Sequence, residues 1–316
     1  MDPIVPNIWH DRTAVEASAF YTSAFREARE TARSHYPTEG LQDFQKSFAG
    51  EVVTIDLEIH GRPLALINAD DTFRPNPSAG FMLHFSPQIA DDPHAYLDEV
   101  HDRLAVGATT LMPLDEYPFS ARYAWIEDRY GVSWQLFLTE QDAPARPFLV
   151  PALMFCGTAQ NRAAEAVAAY TSLYPGSEVG TVATYPEQTG PAAAGSTMYS
   201  DFRLGPGSDD PRADEWLTAM DSGVEPPFTF TEGFSLMVRA DGQDDLDRLW
   251  SVLSTDPSAE QCGWCRDEFG VSWQVVPRDL EDLMARPGAY ARLMEMKKID
   301  IAALRGETAL PTDHPD

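Results

Sequence analysis

The sequence predicts an α+β fold of two tandem modules, each in βαβββ order, followed by a helical tail. Three observations carry that expectation. The first is a repeat: Trp125-Ile126-Glu127-Asp128-Arg129-Tyr130-Gly131-Val132-Ser133-Trp134-Gln135 recurs as Trp264-Cys265-Arg266-Asp267-Glu268-Phe269-Gly270-Val271-Ser272-Trp273-Gln274, offset by 139 residues and identical at seven of eleven positions. The second is that weaker matches fall in the same order. Ala19–Phe25 answers to Ala168–Tyr174, and Val5-Pro6 to Val150-Pro151. Ordered matches at nearly constant spacing are the mark of a duplicated structural unit. The third is apolar spacing. Leu246, Leu249, Trp250 and Leu253 share one helical face with Asp and Arg opposite, whereas the short apolar runs bounded by Gly, Pro and Asp read as strands.

Taken in order, module one spans residues 1–140. It opens with a strand at Val5–His10, and a helix follows with Asp11 near its start. Strands follow at Val52–His60, Pro63–Asn68 and Phe81–Ser86, then a helix at Pro93–Ala105 and a closing strand at Ser133–Leu138. The joint Gln141–Pro147 is short and contains Pro, which sets the modules side by side as one body. Module two spans residues 148–277. Its first strand is Ala152–Cys156, its first helix has Thr158 near the start, and its second helix is Gln243–Leu253. Residues 278–307 form a helical extension with segments at Leu280–Met284, Ala289–Met296 and Ile299–Leu304, broken at Pro287-Gly288. Residues 308–316 read as a frayed tail.

Composition narrows the function classes. In 316 residues, 43% are hydrophobic and 23% charged, which supports a packed core. The net charge of −27 repels phosphate backbones and anionic lipid, so neither nucleic acid nor a membrane surface is an expected partner. The N-terminus shows no signal-peptide pattern, no apolar run nears the ~18 residues of a membrane span, and three cysteines make no disulfide scaffold. A cytoplasmic location is the expectation. Cys262-Gly263-Trp264-Cys265 reads as extended chain. Its ends then lie about 10 Å apart, beyond the roughly 7 Å that a disulfide tolerates. Both thiols are therefore expected to be structural, with Cys262 the candidate for reactivity.

Gln261-Cys262-Gly263-Trp264 followed by Asp267–Pro277 resembles the closing motif of the PhnB-like family, often described as 3-demethylubiquinone-9 3-methyltransferase. Gln243–Trp250 resembles its helix motif and Met296–Leu304 its C-terminal signature, while module one keeps Asp128, Gly131, Trp134 and Gln135. The resemblance implies the vicinal oxygen chelate superfamily of glyoxalases, bleomycin-resistance proteins and dioxygenases. It implies glyoxalase-like modules whose curved sheets pair around a cup. The methyltransferase description finds no support in the residues, because no Gly-rich strand–loop–helix is present to cradle S-adenosylmethionine.

In metal-dependent members of that superfamily, a Glu four residues after the turn Gly and a His opening another strand hold a divalent ion. Here those Glu positions are Gln135 and Gln274, and the first strands offer Asn7 and Ala152. Gly80-Phe81 and Gly233-Phe234 stand where a His begins the middle strand. The nearest, His84, lies on the opposite face from Phe81. Neutral amides are weak ligands for such ions, so no metal cofactor is expected and a divalent ion is the alternative. The two Gln amides are expected to converge across a pseudo-twofold axis. Gln135, Gln274, Trp125, Trp264, Phe81, Phe234 and Cys262 are the ligand-binding candidates, with Trp134 and Trp273 assigned to the core. The implied function is binding of a small organic molecule in the inter-module cup. The alternatives are a metal-dependent lyase, isomerase or dioxygenase, and a metal-free protein that sequesters a cationic drug. No catalytic residue is assigned. One chain suffices for the fold, and a homodimer is the alternative.

Overall fold

A computed structural model describes residues 2–308. Within them the βαβββ order occurs twice in module one and once in module two, where a βαββ unit follows it. The first unit is β1 (Val5–Asp11), α1 (Ala14–Ala24), β2 (Ala28–His35), β3 (Val52–Ile59) and β4 (Arg62–Ala69). The second is β5 (Ala79–Phe85), α2 (Pro93–Leu104), β6 (Thr109–Tyr117), β7 (Ser120–Glu127) and β8 (Ser133–Leu138). The third is β9 (Leu149–Phe155), α3 (Ala163–Ser172), β10 (Glu178–Thr184), β11 (Thr197–Leu204) and β12 (Glu215–Asp221). The fourth, β13 (Phe234–Ala240), α4 (Gln243–Leu253), β14 (Trp264–Arg266) and β15 (Ser272–Pro277), has one strand fewer. Helices α5 (Leu280–Met284), α6 (Ala289–Met294) and α7 (Ile301–Arg305) follow. The tail expected at 308–316 lies outside the described residues from 309 onward.

The units are shuffled between two sheets. A seven-stranded sheet runs β14-β15-β13-β1-β4-β3-β2, and an eight-stranded sheet runs β10-β11-β12-β9-β5-β8-β7-β6. The first and fourth units therefore share one sheet and the second and third share the other. The joints are the antiparallel pairs β1–β13 and β5–β9. Neither module owns a sheet.

The helices lie between the sheets. Helix α1 packs on β3 and β4, while its Tyr21 and the adjoining Phe25 reach Trp134 of β8 at ring distances of 5.4 and 5.5 Å. Helix α3 repeats this, with Tyr170 at 5.3 Å from Trp273 of β15. Trp134 and Trp273 are fully buried there, as expected. The apolar face of each sheet points at this helical layer, and the alternate residues point outward.

Local chemistry sets the helix starts. Asp92 accepts from the Ala95 N–H at 2.9 Å ahead of Pro93, a favourable start for α2. Helices α1 and α3 lack such a cap. Their first N–H groups donate instead to Asn68 Oδ1 of β4 (3.2 Å) and Asp221 Oδ1 of β12 (3.1 Å). Thr158 therefore does not start α3. It sits in a single 3₁₀ turn, and the helix begins at Ala163, where Asp221 waits.

The candidate ligand cups

On β8, Ser133, Gln135 and Phe137 point away from the helices, and the register extends that outer face across the eight-stranded sheet. Gln135 pairs with Met82 of β5 and Trp125 of β7. Met82 pairs with Val150 of β9, and the neighbouring row runs from Ser133 through Gly80 and Ala152 to Thr218 and Asp201. Gly80 is required in that row, since a Cβ there would collide with the Ser133 carbonyl oxygen. This face is strongly curved. Strands β8 and β12 are separated by β5 and β9, yet Gln135 Nε2 lies 3.9 Å from Met220 Sδ of β12. Gln135 Oε1 accepts from the Tyr123 hydroxyl at 2.9 Å. Burial pushes the Tyr123 hydroxyl far above its ordinary pKa, so it stays a donor.

Two polar groups on this concave face have no partner among the described residues. Trp216 Nε1 and Thr218 Oγ1, two residues apart on β12, are buried and make no hydrogen bond there. Such groups are costly unless something else satisfies them. Beside them stands Arg146, from the joint between the modules. Its Nε donates to Asp201 Oδ2 at 2.7 Å, and its guanidinium carbon lies 3.6 Å from the Trp216 ring centroid. His84 shares the face. Burial, reinforced by the Arg146 charge, lowers its pKa to about 3, so it is neutral.

The seven-stranded sheet has a matching outer face with different contents. Gln274 Nε2 donates to Ser235 Oγ at 2.9 Å. Trp264 pairs with Gln274 across β14 and β15 and meets Trp9 edge-on at 6.3 Å, and Trp9 meets Phe73 at 5.1 Å. The C-terminal helices roof this cup. Met294 at the end of α6 is reached from one rim by Gln261, whose Nε2 donates to the Met294 carbonyl at 2.9 Å. From the other rim comes Gln45, whose Nε2 lies 4.0 Å from the Met294 sulfur. Between the rims, burial raises the pKa of Asp56 on β3, and the nearby Glu281 of α5 adds to that rise.

The structure separates several residues that the sequence grouped. Gln135 and Gln274 lie on different sheets and do not converge; each is bound within its own sheet, because the units pair crosswise. Phe81 and Phe234 face inward, not into a cup. They touch each other edge-on at 5.4 Å in the core. Trp125 does line its cup, donating from Nε1 to Ser133 Oγ at 2.8 Å. Cys262 is not in extended chain. Cys262 and Gly263, with φ of 54° and 88°, form a tight turn closed by Gln261 and Trp264. The Cys262 Sγ lies 3.7 Å from Met294 Sδ under the roof, and burial raises its pKa, the opposite of thiolate activation. All three cysteines are free. Among the described residues, no group of three or more His, Cys, Asp or Glu side chains is placed to hold a metal ion. Among them, too, no helix is long and apolar enough to cross a membrane.

Other residues of the site carry no sequence signal. The sequence shows Arg146 only as part of a joint, and Trp216 and Thr218 lie in a strand that no repeat marks. A cleft of about 750 Å³ at the seam of the two sheets is equally silent in the sequence. Its lining includes Arg62, whose Nη2 donates to both carboxylate oxygens of Glu215 at 2.6 Å. That pair joins β4 of one sheet to β12 of the other and is buried.

Comparison with known proteins follows the duplication. The family model described as 3-demethylubiquinone-9 3-methyltransferase matches residues 2–137 and 147–276. No curated protein matches the chain. Among solved structures, a putative 3-demethylubiquinone-9 3-methyltransferase, PhnB protein, from Bacillus cereus is 28% identical over 42% of this chain and 96% of its own, with a TM-score of 0.36. Glyoxalase I from Zea mays is 11% identical over 92% of this chain and 97% of its own, with a TM-score of 0.50. A mutant form of that plant glyoxalase I, also 11% identical, gives 0.51 over 88% of this chain and 95% of its own. At that identity the likeness to the plant protein is one of fold. The two family matches cover most of the chain, which belongs to the family described as 3-demethylubiquinone-9 3-methyltransferase, present as two tandem copies.

Proposed function

We propose that this protein binds a small organic molecule in the concave face of the eight-stranded sheet, without the divalent ion used by metal-dependent members of its superfamily. The observation that carries this reading is the pair of buried, unpartnered groups Trp216 Nε1 and Thr218 Oγ1, set in one cup with Gln135 and Trp125. A ligand that displaces the side chains covering these atoms satisfies them, and the aromatic walls supply apolar contact. The other cup is roofed by α5 and α6, which leaves the eight-stranded sheet as the working face.

The donor set argues against an ion. Where a ligating carboxylate is needed, each cup presents an amide already engaged: Gln135 with Tyr123, and Gln274 with Ser235. Their strand neighbours are Met82 and Met237, thioethers that suit soft ions rather than the hard or borderline divalent ones. Methyl transfer from S-adenosylmethionine also lacks a seat, because neither sheet is the doubly wound parallel type with a Gly-rich turn at a helix start.

The test is metal analysis of protein purified without chelator, before and after loading with Ni²⁺, Mn²⁺, Fe²⁺ or Zn²⁺. No stoichiometric metal is expected. Near-stoichiometric metal that disappears in Gln135→Ala or Gln274→Ala overturns the metal-free reading.

A further inference from the structure

We infer that the ligand of the eight-stranded cup is an acceptor-rich molecule carrying an oxyanion or carbonyl group, and that Arg146 is the residue that selects it. The inference rests on the proposal that this cup is the binding face, and it concerns what the cup has left to offer.

The spare hydrogen-bonding capacity of the cup is that of donors. Trp216 Nε1 can only donate, and it is unpartnered. Thr218 Oγ1 is equally unpartnered and can donate. Gln135 Nε2 meets only the sulfur of Met220, a weak acceptor. Arg146 uses Nε on Asp201 and Nη1 on the Ala145 carbonyl, while Nη2 has no hydrogen-bond partner among the described residues. Apart from the Thr218 hydroxyl, which can also accept, the amide and carboxylate acceptors beside these donors are committed. Gln135 Oε1 takes the Tyr123 hydroxyl. Asp201 Oδ1 takes the Thr181 N–H at 2.6 Å and Oδ2 takes Arg146.

Charge points the same way. The net charge of −27 favours a cation for the molecule as a whole, but the carboxylates on this face are compensated where it is deepest. Asp201 is paired there with Arg146 at 2.7 Å, and at the exposed edge strand β10 Glu178 is paired with Arg203 at 2.8 Å. Glu127, at the end of β7, has no cation partner among the described residues, and burial raises its pKa toward the uncharged form. The guanidinium of Arg146 is held on Trp216 by stacking and by its bond to Asp201, which fixes its place over Gly180 and leaves Nη2 without a hydrogen-bond partner among the described residues. A ligand cation would find no free carboxylate beside Trp216 among the described residues. An anion that displaces the side chains over Trp216 Nε1 and Thr218 Oγ1 finds four donors.

The experiment is calorimetric titration of the full chain with a matched pair of probes, 2-naphthoate and 2-naphthylmethylammonium, at pH ~7.5, where both probes carry their charge. The expected result is at least tenfold tighter binding of the naphthoate. Thr218→Val should weaken it about fivefold or more, Thr218→Ser should restore it, and Arg146→Gln should abolish the preference over the amine. Retained circular dichroism and melting temperature exclude unfolding as the cause. Tighter binding of the amine, with the same dependence on Thr218, overturns the ligand class and leaves the cup as the binding face. Binding of either probe that ignores both Thr218 and Arg146, or no binding of either, overturns the cup reading together with this inference.

Discussion

The Tyr170 hydroxyl donates to Asp267 Oδ2 at 2.6 Å, and the same bond occurs in module one between Tyr21 and Asp128 at 2.8 Å. Each Asp takes three further donors. Asp128 accepts from Trp134 Nε1 and the Tyr130 and Val132 N–H groups, and Asp267 from Trp273 Nε1 and the Phe269 and Val271 N–H groups. Each Tyr sits on a helix packed on one sheet and each Asp in a turn of the other, so the two knots clamp the sheets together. Replacing Asp128 by Ala strands four buried donors, and the expected loss is about 3–5 kcal/mol. Tyr21→Phe removes one bond and should cost about 1 kcal/mol. Urea unfolding of both variants checks the ratio; equal small losses would sink the clamp.

These knots explain what is legible in the sequence. The two strongest repeats, one around Tyr21 and Tyr170 and the other around Asp128 and Asp267, are the two ends of one contact that each module makes. Helix α4 is readable to the residue, because Leu246, Leu249 and Leu253 bury one side while Asp and Arg stay wet. Strands β2, β6 and β10 are not. They lie at sheet edges with mostly exposed side chains, so Ala28–His35 carries no apolar alternation. Their silence hides the second unit in each module, and with it the crosswise pairing that parts Gln135 from Gln274. The cup floor is illegible for a different reason. Trp216 and Thr218 matter through bonds they do not make, and no spacing rule reports that.

Buried histidines give the protein an acid-sensitive term. Burial lowers His10 to about 4 and His84 to about 3. In the unfolded chain both titrate near 6.5. Between pH ~6.5 and pH ~4 the unfolded state therefore binds protons that the native state refuses, and stability falls as pH falls. Each histidine contributes up to about 1.4 kcal/mol per pH unit in that window. His84→Asn should flatten the slope of unfolding free energy against pH by about one proton. An unchanged slope would show that His84 protonates without cost in the fold.

The Arg62–Glu215 pair bridges the sheets in a buried setting. Burial raises the pKa of Glu215, and Arg62 partly offsets that rise. Removing Arg62 lifts the Glu215 pKa further, so the carboxyl can be neutral at low pH but must ionise, uncompensated, as pH rises. Arg62→Met should therefore cost about 3–5 kcal/mol near pH ~8 and clearly less near pH ~5. The double variant Arg62→Met, Glu215→Leu should recover much of the loss. A loss independent of pH would assign the damage to packing alone.

The C-terminal helices cover apolar surface as well as the seven-stranded cup. Leu283, Met296, Ile299 and Leu304 are buried against the core cluster. At about 1.5–3 kcal/mol for each fully buried side chain, ending the chain at Pro277 should cost on the order of 5 kcal/mol or more. It should also expose Trp9 and Trp264 to acrylamide quenching and raise binding of an apolar dye. Unchanged quenching would mean that the roof does not shield those rings.

Both sheets are completed within one chain, and this bears on assembly. The joints β1–β13 and β5–β9 are the places where single-module relatives would need a second subunit. Here they are filled internally, and what remains are edge strands unsuited to pairing. Strand β2 presents Arg29, Glu30 and Arg33 to solvent, and β10 is broken by register shifts. Charged and irregular edges resist strand addition. Sedimentation equilibrium should therefore return the 35.0 kDa mass of one chain at micromolar concentration. An obligate dimer would require an interface other than a sheet edge, and the exposed Val179, Val182 and Met198 around β10 and β11 would be the first surface to mutate in search of it.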